Sequence, residues 1–302
     1  MAHRQIQDMV ILITGASAGI GRALALNLAA KGAKLVLAAR RLDRLEELNK
    51  QLGGTHLCLA ADVSRPEDCR RIVQAAVEKF GRLDTLVCNA GYAFARGFDA
   101  LTDQDIQQIF DTNLFGTIEC CRTAVPIMKQ QPLRDGIRGQ LMIVSSACAR
   151  RGLPYFSMYA ATKAAQLSVA EGLRVELEPA GIAVTSVHPE LVETDFFTTA
   201  HEVGGMNPHA LAPGKKSSAA GCAAHMARAI ESPRRELWPK PFSRVSLTIA
   251  TAIPAVVDWF IARIRDRLLR DNGMLGTAPP ADQKISTSSP PQSPATIENR
   301  PA

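Results

Sequence analysis

The chain has 302 residues, 46% of them hydrophobic and 21% charged, a globular composition with ample length for one principal domain around a buried core. Its seven cysteines are odd in number and lack metal-ligand spacing, and the first residues carry no apolar signal run, so a disulfide framework and a zinc site are excluded and a reducing, cytoplasmic setting is expected. The net charge of +6 is concentrated toward the C-terminus, where residues 234–271 hold eight Lys/Arg against four Asp/Glu. No nucleic-acid module accompanies this surplus, so nucleic acid is not expected as a partner, whereas the interleaved apolar runs suit a membrane surface.

The first predicted strand, residues 9–14, empties into Thr14-Gly15-Ala16-Ser17-Ala18-Gly19-Ile20-Gly21, and a helical run starts at Arg22. Glycines after a strand and before a helix permit a tight turn and a close backbone approach to a pyrophosphate, which the helix N-terminus then stabilises. The second strand, 34–39, ends at Ala39-Arg40-Arg41. An acid at this strand end would bind the ribose hydroxyl of NAD. Ala39 takes that place, and Arg40, with Arg41 as a second candidate, can offer a bidentate guanidinium to the 2′-phosphate of NADP.

Helical spacing follows in Leu42, Leu45 and Leu48, and again in Ile72, Val73, Ala76, Val77 and Phe80, on either side of a strand at 56–61. Further strands are predicted at 85–89, 140–145 and 183–189. Alternating strands and helices imply a doubly wound α/β fold, a Rossmann-type parallel sheet with its ligand at the carboxyl ends of the strands.

Tyr159 and Lys163 are four apart within a helical run at 155–178 and therefore share a face. An ammonium beside a phenol favours the phenolate, which would let the tyrosine exchange a proton near neutral pH as general acid or base. Ser146 ends the fifth strand, where its hydroxyl can meet a substrate oxygen as charge develops, with Ser145 as its rival.

The Gly-x-x-x-Gly-x-Gly spacing, Asp62-Val63, Asn89-Ala90-Gly91, Asn113, and Ser146 with Tyr159-x-x-x-Lys163, in this order, resemble the short-chain dehydrogenases/reductases. The resemblance covers residues 9–195 firmly and 196–272 loosely. It implies a nicotinamide cofactor, NADP(H) by the arginines, held by Gly15, Ser17, Gly19, Ile20, Gly21, Arg40, Asp62, Val63, Asn89, Ala90, Gly91, Tyr159, Lys163 and Thr194. It implies Asn113, Ser146, Tyr159 and Lys163 as the catalytic set, with Asn113 holding the site geometry and a relay water, and it implies a homo-oligomer. The family's usual Pro-Gly after the sixth strand is here Pro189-Glu190, whose carboxylate either shapes substrate choice or faces solvent.

The fold is thus expected as a single domain over residues 1–242 with a substrate lid near 190–216, a C-terminal helical segment at 243–272 and a disordered tail at 273–302. The segment shows an apolar helical face of Val257, Phe260, Ile261, Ile264 and Leu268 opposed to Asp258, Arg265 and Asp266. Packing on the protein or a subunit comes first, an interfacial membrane contact second, and a span last, because Pro254 and Asp258 interrupt it. The substrate is expected to be an apolar carbonyl or alcohol, steroid-like or lipid-like among the choices, from Phe196, Phe197, Met206 and Leu211 on the lid and Phe94, Tyr155 and Met158 on the pocket side. The alternative function is a catalytically silent NADP-binding regulator or scaffold.

Overall fold

The computed structural model of the chain describes residues 3–194, 196–206 and 216–274. Alternation carries the first half: β1 (Val10–Thr14), α1 (Gly19–Ala29), β2 (Lys34–Ala39), α2 (Leu42–Gln51), β3 (Leu57–Ala60), α3 (Pro66–Phe80) and β4 (Thr85–Cys88). Two helices, α4 (Asp103–Phe110) and α5 (Gly116–Gln130), then precede β5 (Gly139–Val144), α6 (Ser157–Leu177) and β6 (Ile182–Val187). The sheet is parallel with order β3-β2-β1-β4-β5-β6 and a short seventh strand at its edge. The order reverses between β1 and β4, which opens a crevice beyond their carboxyl ends.

The strand period of two divides the core. Ile11 and Ile13 of β1 pack with α1, α2 and a later helix that includes Cys222 and Met226 on one face, while Val10 and Leu12 pack with α3, α5 and α6 on the other. Every β1 side chain is buried, as expected of a strand covered on both faces.

The stretch expected as a substrate lid contains β7 (Val192–Glu193) and α7 (Phe196–Gly204). β7 pairs with β8 (Ser217–Ser218), which leads into α8 (Ala219–Glu231) and the edge strand β9 (Glu236–Leu237). Residues 207–215, including Leu211, and the expected tail from 275 onward lie outside the described residues.

The C-terminal segment forms α9 (Pro241–Ala252) and α10 (Pro254–Asp271). No single described helix is long and apolar enough to cross a membrane; the two satisfy such a test only together, and they are bent by 111°. The expected apolar face of α10 is split. Val257, Ile261 and Ile264 are half-buried, and Leu268 is fully buried in a cluster with Phe94, Phe156 and Tyr159, whereas Phe260 points outward. Asp258, expected as an obstacle to membrane insertion, forms an ion pair with Arg151 of the main body.

Candidate functional site

Beyond the carboxyl ends of the strands lies a cavity of about 850 Å³. Gly15 sits at φ +67°, and a Cβ there would come within 2.9 Å of Ala90 Cα. On Gly21 a Cβ would lie 2.5 Å from the Gly15 carbonyl oxygen, so only glycine lets α1 start this close to β1. The first turn of α1 has no side-chain cap and no acidic residue, which leaves its N–H groups available to an external anion. Asn89 ties the end of β4 to this turn by donating through Nδ2 to the carbonyls of Thr14 at 2.9 Å and Gly15 at 3.3 Å. Thr14 Oγ1 in turn accepts from the backbone N–H groups of Asn89 and Ala90, both at 3.0 Å.

The other expected cofactor residues converge on this cavity. Ser17, Gly19, Ile20, Arg40, Asp62, Val63, Gly91 and Thr194 all line it, whereas Gly21 lies beneath the wall. Asp62 is held by Ser64, whose N–H and hydroxyl donate to Oδ1 at 3.0 and 2.8 Å. At the far end Arg40 and Arg41 are joined by Arg44, in the first turn of α2, which is outside the expected set. Arg41 donates to Ser17 Oγ at 3.3 Å, so the basic wall meets the glycine turn.

The two serines after β5 are employed differently. Ser145 Oγ donates to the Lys163 carbonyl at 2.7 Å, while Ser146 Oγ accepts from the Cys148 N–H at 3.2 Å and lines the cavity together with Tyr159. Ser146 is further supported by His188, whose Nδ1 lies 3.3 Å from its carbonyl and whose ring stacks on Trp238 at 4.4 Å. Because a carbonyl only accepts, Nδ1 carries the proton; burial holds this imidazole down near a pKa of about 4, hence neutral. Nothing in the sequence singled out His188 or Trp238, since β9 brings them together only in the fold.

Tyr159 and Lys163 line the cavity and are buried. The expected depression of the phenol does not occur. Burial pushes the Tyr159 phenol well above its ordinary range, with Cys148 acting in the same direction and the nearby Ser146 hydroxyl opposing. Burial likewise pulls the Lys163 ammonium down to about 8. Loss of water disfavours both charged forms, and Lys163 directs its N–H groups to the Val144 carbonyl at 2.9 Å and Gln166 Oε1 at 3.0 Å rather than to the phenol. The phenol is therefore held protonated at neutral pH.

Asn113 lies in a π-helical turn, Asp111–Phe115, between α4 and α5, a local widening of the helix often found at functional sites. It is fully buried behind the cavity wall, with Nδ2 donating to the Tyr92 carbonyl at 2.9 Å and Thr162 Oγ1 at 3.1 Å, and Oδ1 accepting from the Tyr92 N–H at 3.0 Å. Its main-chain carbonyl accepts from Gln166, the residue that also receives Lys163.

The substrate side departs from expectation. Phe196 lines the cavity, but Phe94 and Met206 are buried in the adjoining cluster and Tyr155 and Met158 pack against it, leaving the wall to Leu153, Phe156, Leu191 and Leu247. Phe94 and Met206 are apolar enough to be drawn into a core of their own. The α9 residues Ser243, Ser246 and Leu247 complete the wall, and Cys148 contributes a thiol that burial pushes up. Glu190 lines the cavity too, with a side chain 20% exposed.

A family model described as short chain dehydrogenase matches residues 9–203. An Arabidopsis thaliana protein named 11-beta-hydroxysteroid dehydrogenase 1A is 35% identical over 263 residues, which is 83% of this chain and 73% of that protein. A Bacillus subtilis protein named uncharacterized oxidoreductase YxnA is 39% identical over 204 residues, 66% of this chain and 56% of its own length. A solved 3-ketoacyl-(acyl-carrier-protein) reductase from Brucella melitensis, complexed with NADH, is similar at a TM-score of 0.68 and 29% identity, covering 77% of this chain and 97% of that one. A short chain dehydrogenase/reductase from Burkholderia phymatum in complex with NAD shares the fold at a TM-score of 0.73 and 23% identity, covering 83% and 96%.

Proposed function

The chain belongs to the short-chain dehydrogenase family, oxidoreductases that bind a nicotinamide cofactor and act on small molecules, and from that premise we propose an NADP(H)-dependent enzyme that interconverts a carbonyl and a secondary alcohol on a mainly apolar substrate. The observation that carries this reading is the shared cavity: Ser146, Tyr159 and Lys163 face it at one end, and Arg40, Arg41 and Arg44 line it at the other. The uncapped helix turn and the glycine cradle fit a dinucleotide phosphate, and the basic wall fits a further one.

When bound, the nicotinamide supplies or accepts the hydride. Ser146 Oγ donates a hydrogen bond to the substrate oxygen, and Tyr159 gives that oxygen its proton in reduction or takes it in oxidation. Lys163, buried beside the phenol, holds positive charge near the developing anion. Asn113 acts through Tyr92 and Gln166 to hold this arrangement. Leu153, Phe156, Phe196 and Leu247 favour an apolar substrate body.

Consumption of NADPH against a panel of steroid, retinoid, keto-lipid and xenobiotic carbonyls tests the proposal. Ser146→Ala should lower turnover by about a hundredfold, the scale of a lost oxyanion donor. Ser145→Ala should act less, because that hydroxyl is committed to the Lys163 carbonyl; the reverse ordering would move the role to Ser145. NADPH binding without turnover of any carbonyl would favour the catalytically silent regulator instead.

A homo-oligomer and a cytoplasm-facing membrane contact through residues 243–272, appended to the main domain, belong to the same proposal. Phe242, Val245, Ile249, Ile253, Val256, Trp259 and Phe260 are between 47% and 80% exposed, and Arg263, Arg267 and Arg270 continue the outward face of α10. Such a surface suits an anionic bilayer. Serine at Phe242, Ile249, Trp259 and Phe260 should release the protein from anionic vesicles with little change in melting temperature, whereas serine at Ile261 and Leu268 should lower the melting temperature. Added salt should weaken the attachment, and failure of the intact protein to cosediment with anionic vesicles at low salt would exclude it.

A further inference from the structure

The helix α7 supplies part of the cavity wall and is too short to keep its place unaided. Its residues Phe196, Thr198 and Glu202 line the cavity, and Phe196 packs on the Tyr159 ring at 5.6 Å. It runs only from Phe196 to Gly204, and isolated helices of such length are marginal in water. Tertiary contacts must fix it, and they gather at its C-terminal end.

That end is received by the segment 93–96, just after the Asn89-Ala90-Gly91 turn. A Cβ on Gly204 would lie 2.4 Å from the Ala95 carbonyl oxygen and 2.5 Å from the Ala95 nitrogen, so α7 approaches Ala95 more closely than any other residue would allow. Arg96 Nη2 donates to the Val203 carbonyl at 2.8 Å. This carbonyl is one of the last four of the helix, which lack a partner inside it and form the negative end of its dipole. Nη1 of the same guanidinium pairs with Asp105, whose Oδ2 also accepts from the Thr102 N–H at 2.9 Å and the Thr102 hydroxyl at 2.7 Å. These Thr102 bonds, with Arg96 adding to them, hold the Asp105 carboxyl below its ordinary pKa, so the tether is charged at neutral pH. The main-chain N–H of Arg96 donates to the Tyr155 carbonyl at 3.0 Å. Tyr155 is held at φ +64°, a conformation that a bulky residue keeps only where its surroundings fix it. One residue thus joins the end of α7, the start of α4 and the approach to α6.

We propose that Arg96 is a positioning residue for substrate binding: its guanidinium caps the C-terminal turn of α7, ties it to Asp105, and so keeps Phe196, Thr198 and Glu202 in place as a wall beside Tyr159. The proposal deepens the oxidoreductase reading of this cavity and rests on it. The capped turn lies about 12 Å along the helix from Phe196, away from Thr194 and the glycine turn, so loosening it disturbs the substrate wall before the cofactor cradle. A wall of this kind holds the substrate body equally in the ground state and the transition state. Its loss raises KM and leaves kcat nearly unchanged.

Two measurements test this, and one needs no substrate. Arg96→Met removes both charged bonds while the main-chain bond to Tyr155 survives. In hydrogen exchange read by mass spectrometry, amides of residues 196–204 should exchange at least about tenfold faster than in the wild-type protein, with α8 unchanged as an internal control. With NADPH, KM for a ketosteroid that reaches the wall should rise about tenfold, the lower end for a lost charged hydrogen bond because this guanidinium is partly exposed. Its kcat, the NADPH affinity and both constants for the smaller cyclohexanone should change by less than about threefold. Arg96→Lys should restore part of each effect, because an ammonium lacks the fork that spans Val203 and Asp105. Gly204→Ala should reproduce both effects with Arg96 intact, since the added methyl drives α7 off Ala95, and a melting measurement confirms that each variant is folded. Unchanged exchange in α7 overturns the proposal, as do equal losses on the two carbonyls or a loss confined to NADPH affinity. If Asp105→Asn reproduces the ketosteroid loss and Gly204→Ala does not, the effect belongs to α4 and the proposal falls. Absence of turnover by the wild-type protein on every carbonyl would defeat the oxidoreductase reading, and the role in substrate binding with it, even where exchange shows the tether.

Discussion

Tyr159→Phe should abolish turnover, with a loss of at least about a hundredfold as expected for a missing general acid, while NADPH affinity stays close to that of the wild-type protein. The ring's packing survives the change, because its contacts with Phe156 at 6.2 Å and Phe196 at 5.6 Å are made by carbon edges and faces. Only the hydroxyl and its transferable proton are lost. Lys163→Ala should impair both turnover and NADPH binding, since it removes a buried cation from the shared cavity and frees Gln166. Wild-type turnover by Tyr159→Phe on a verified substrate would show that another group supplies the proton.

The same geometry gives a pH profile. Burial raises the phenol, so Tyr159 remains a proton donor throughout the neutral range. The ammonium of Lys163 is the charged form below its pKa, and burial lowers that pKa to about 8. Reductive kcat/KM, which reports the free enzyme, should therefore fall as pH rises through about 8. Lys163→Arg, where it folds, should move that limb upward, because a guanidinium keeps its charge.

Six of the seven sheet strands were legible because each is a continuous apolar run, the pattern forced on a strand covered by helices on both faces. β9 was not, for Glu236–Leu237 is two residues long and exists through its pairing with β6. The glycine turn, Arg40, Tyr159 and Lys163 were readable by chemistry and spacing and Asn113, Asp62 and Val63 by family resemblance; most of them line one crevice, with Gly21 and Asn113 behind its wall. The state of the phenol was not, because helical spacing fixes proximity but not burial, and desolvation outweighs the lysine's influence. Nor could spacing reveal where Lys163 directs its protons. Phe94 and Met206 are the converse: apolar character suits a substrate wall, yet the same property places them in a core beside the cavity. The α9 wall and Arg44 depend on long-range packing and local helix phase, which residue order alone does not expose.

Ala39→Asp combined with Arg40→Leu should shift cofactor preference from NADP(H) toward NAD(H). Ala39 closes β2 and is nearly buried, at 8% exposure, so an aspartate there is directed by the strand end into the cavity, where it can accept from a ribose hydroxyl and repel a 2′-phosphate. Arg40→Leu removes one guanidinium from the basic wall. The lost charged hydrogen bond corresponds to about 1.5 to 3 kcal/mol in NADP(H) affinity, with the lower end favoured because these arginines are exposed to solvent and their attraction is screened. Arg41, already donating to Ser17 Oγ, and Arg44 remain in the double variant. Residual NADP(H) binding should therefore persist and weaken further with salt, and adding Arg41→Leu and Arg44→Leu should remove it while NAD(H) binding changes little. Titration calorimetry reads each step. Equal affinity of the wild-type protein for the two cofactors would refute the role of the arginine wall, since its charge would then be engaging neither phosphate nor selectivity.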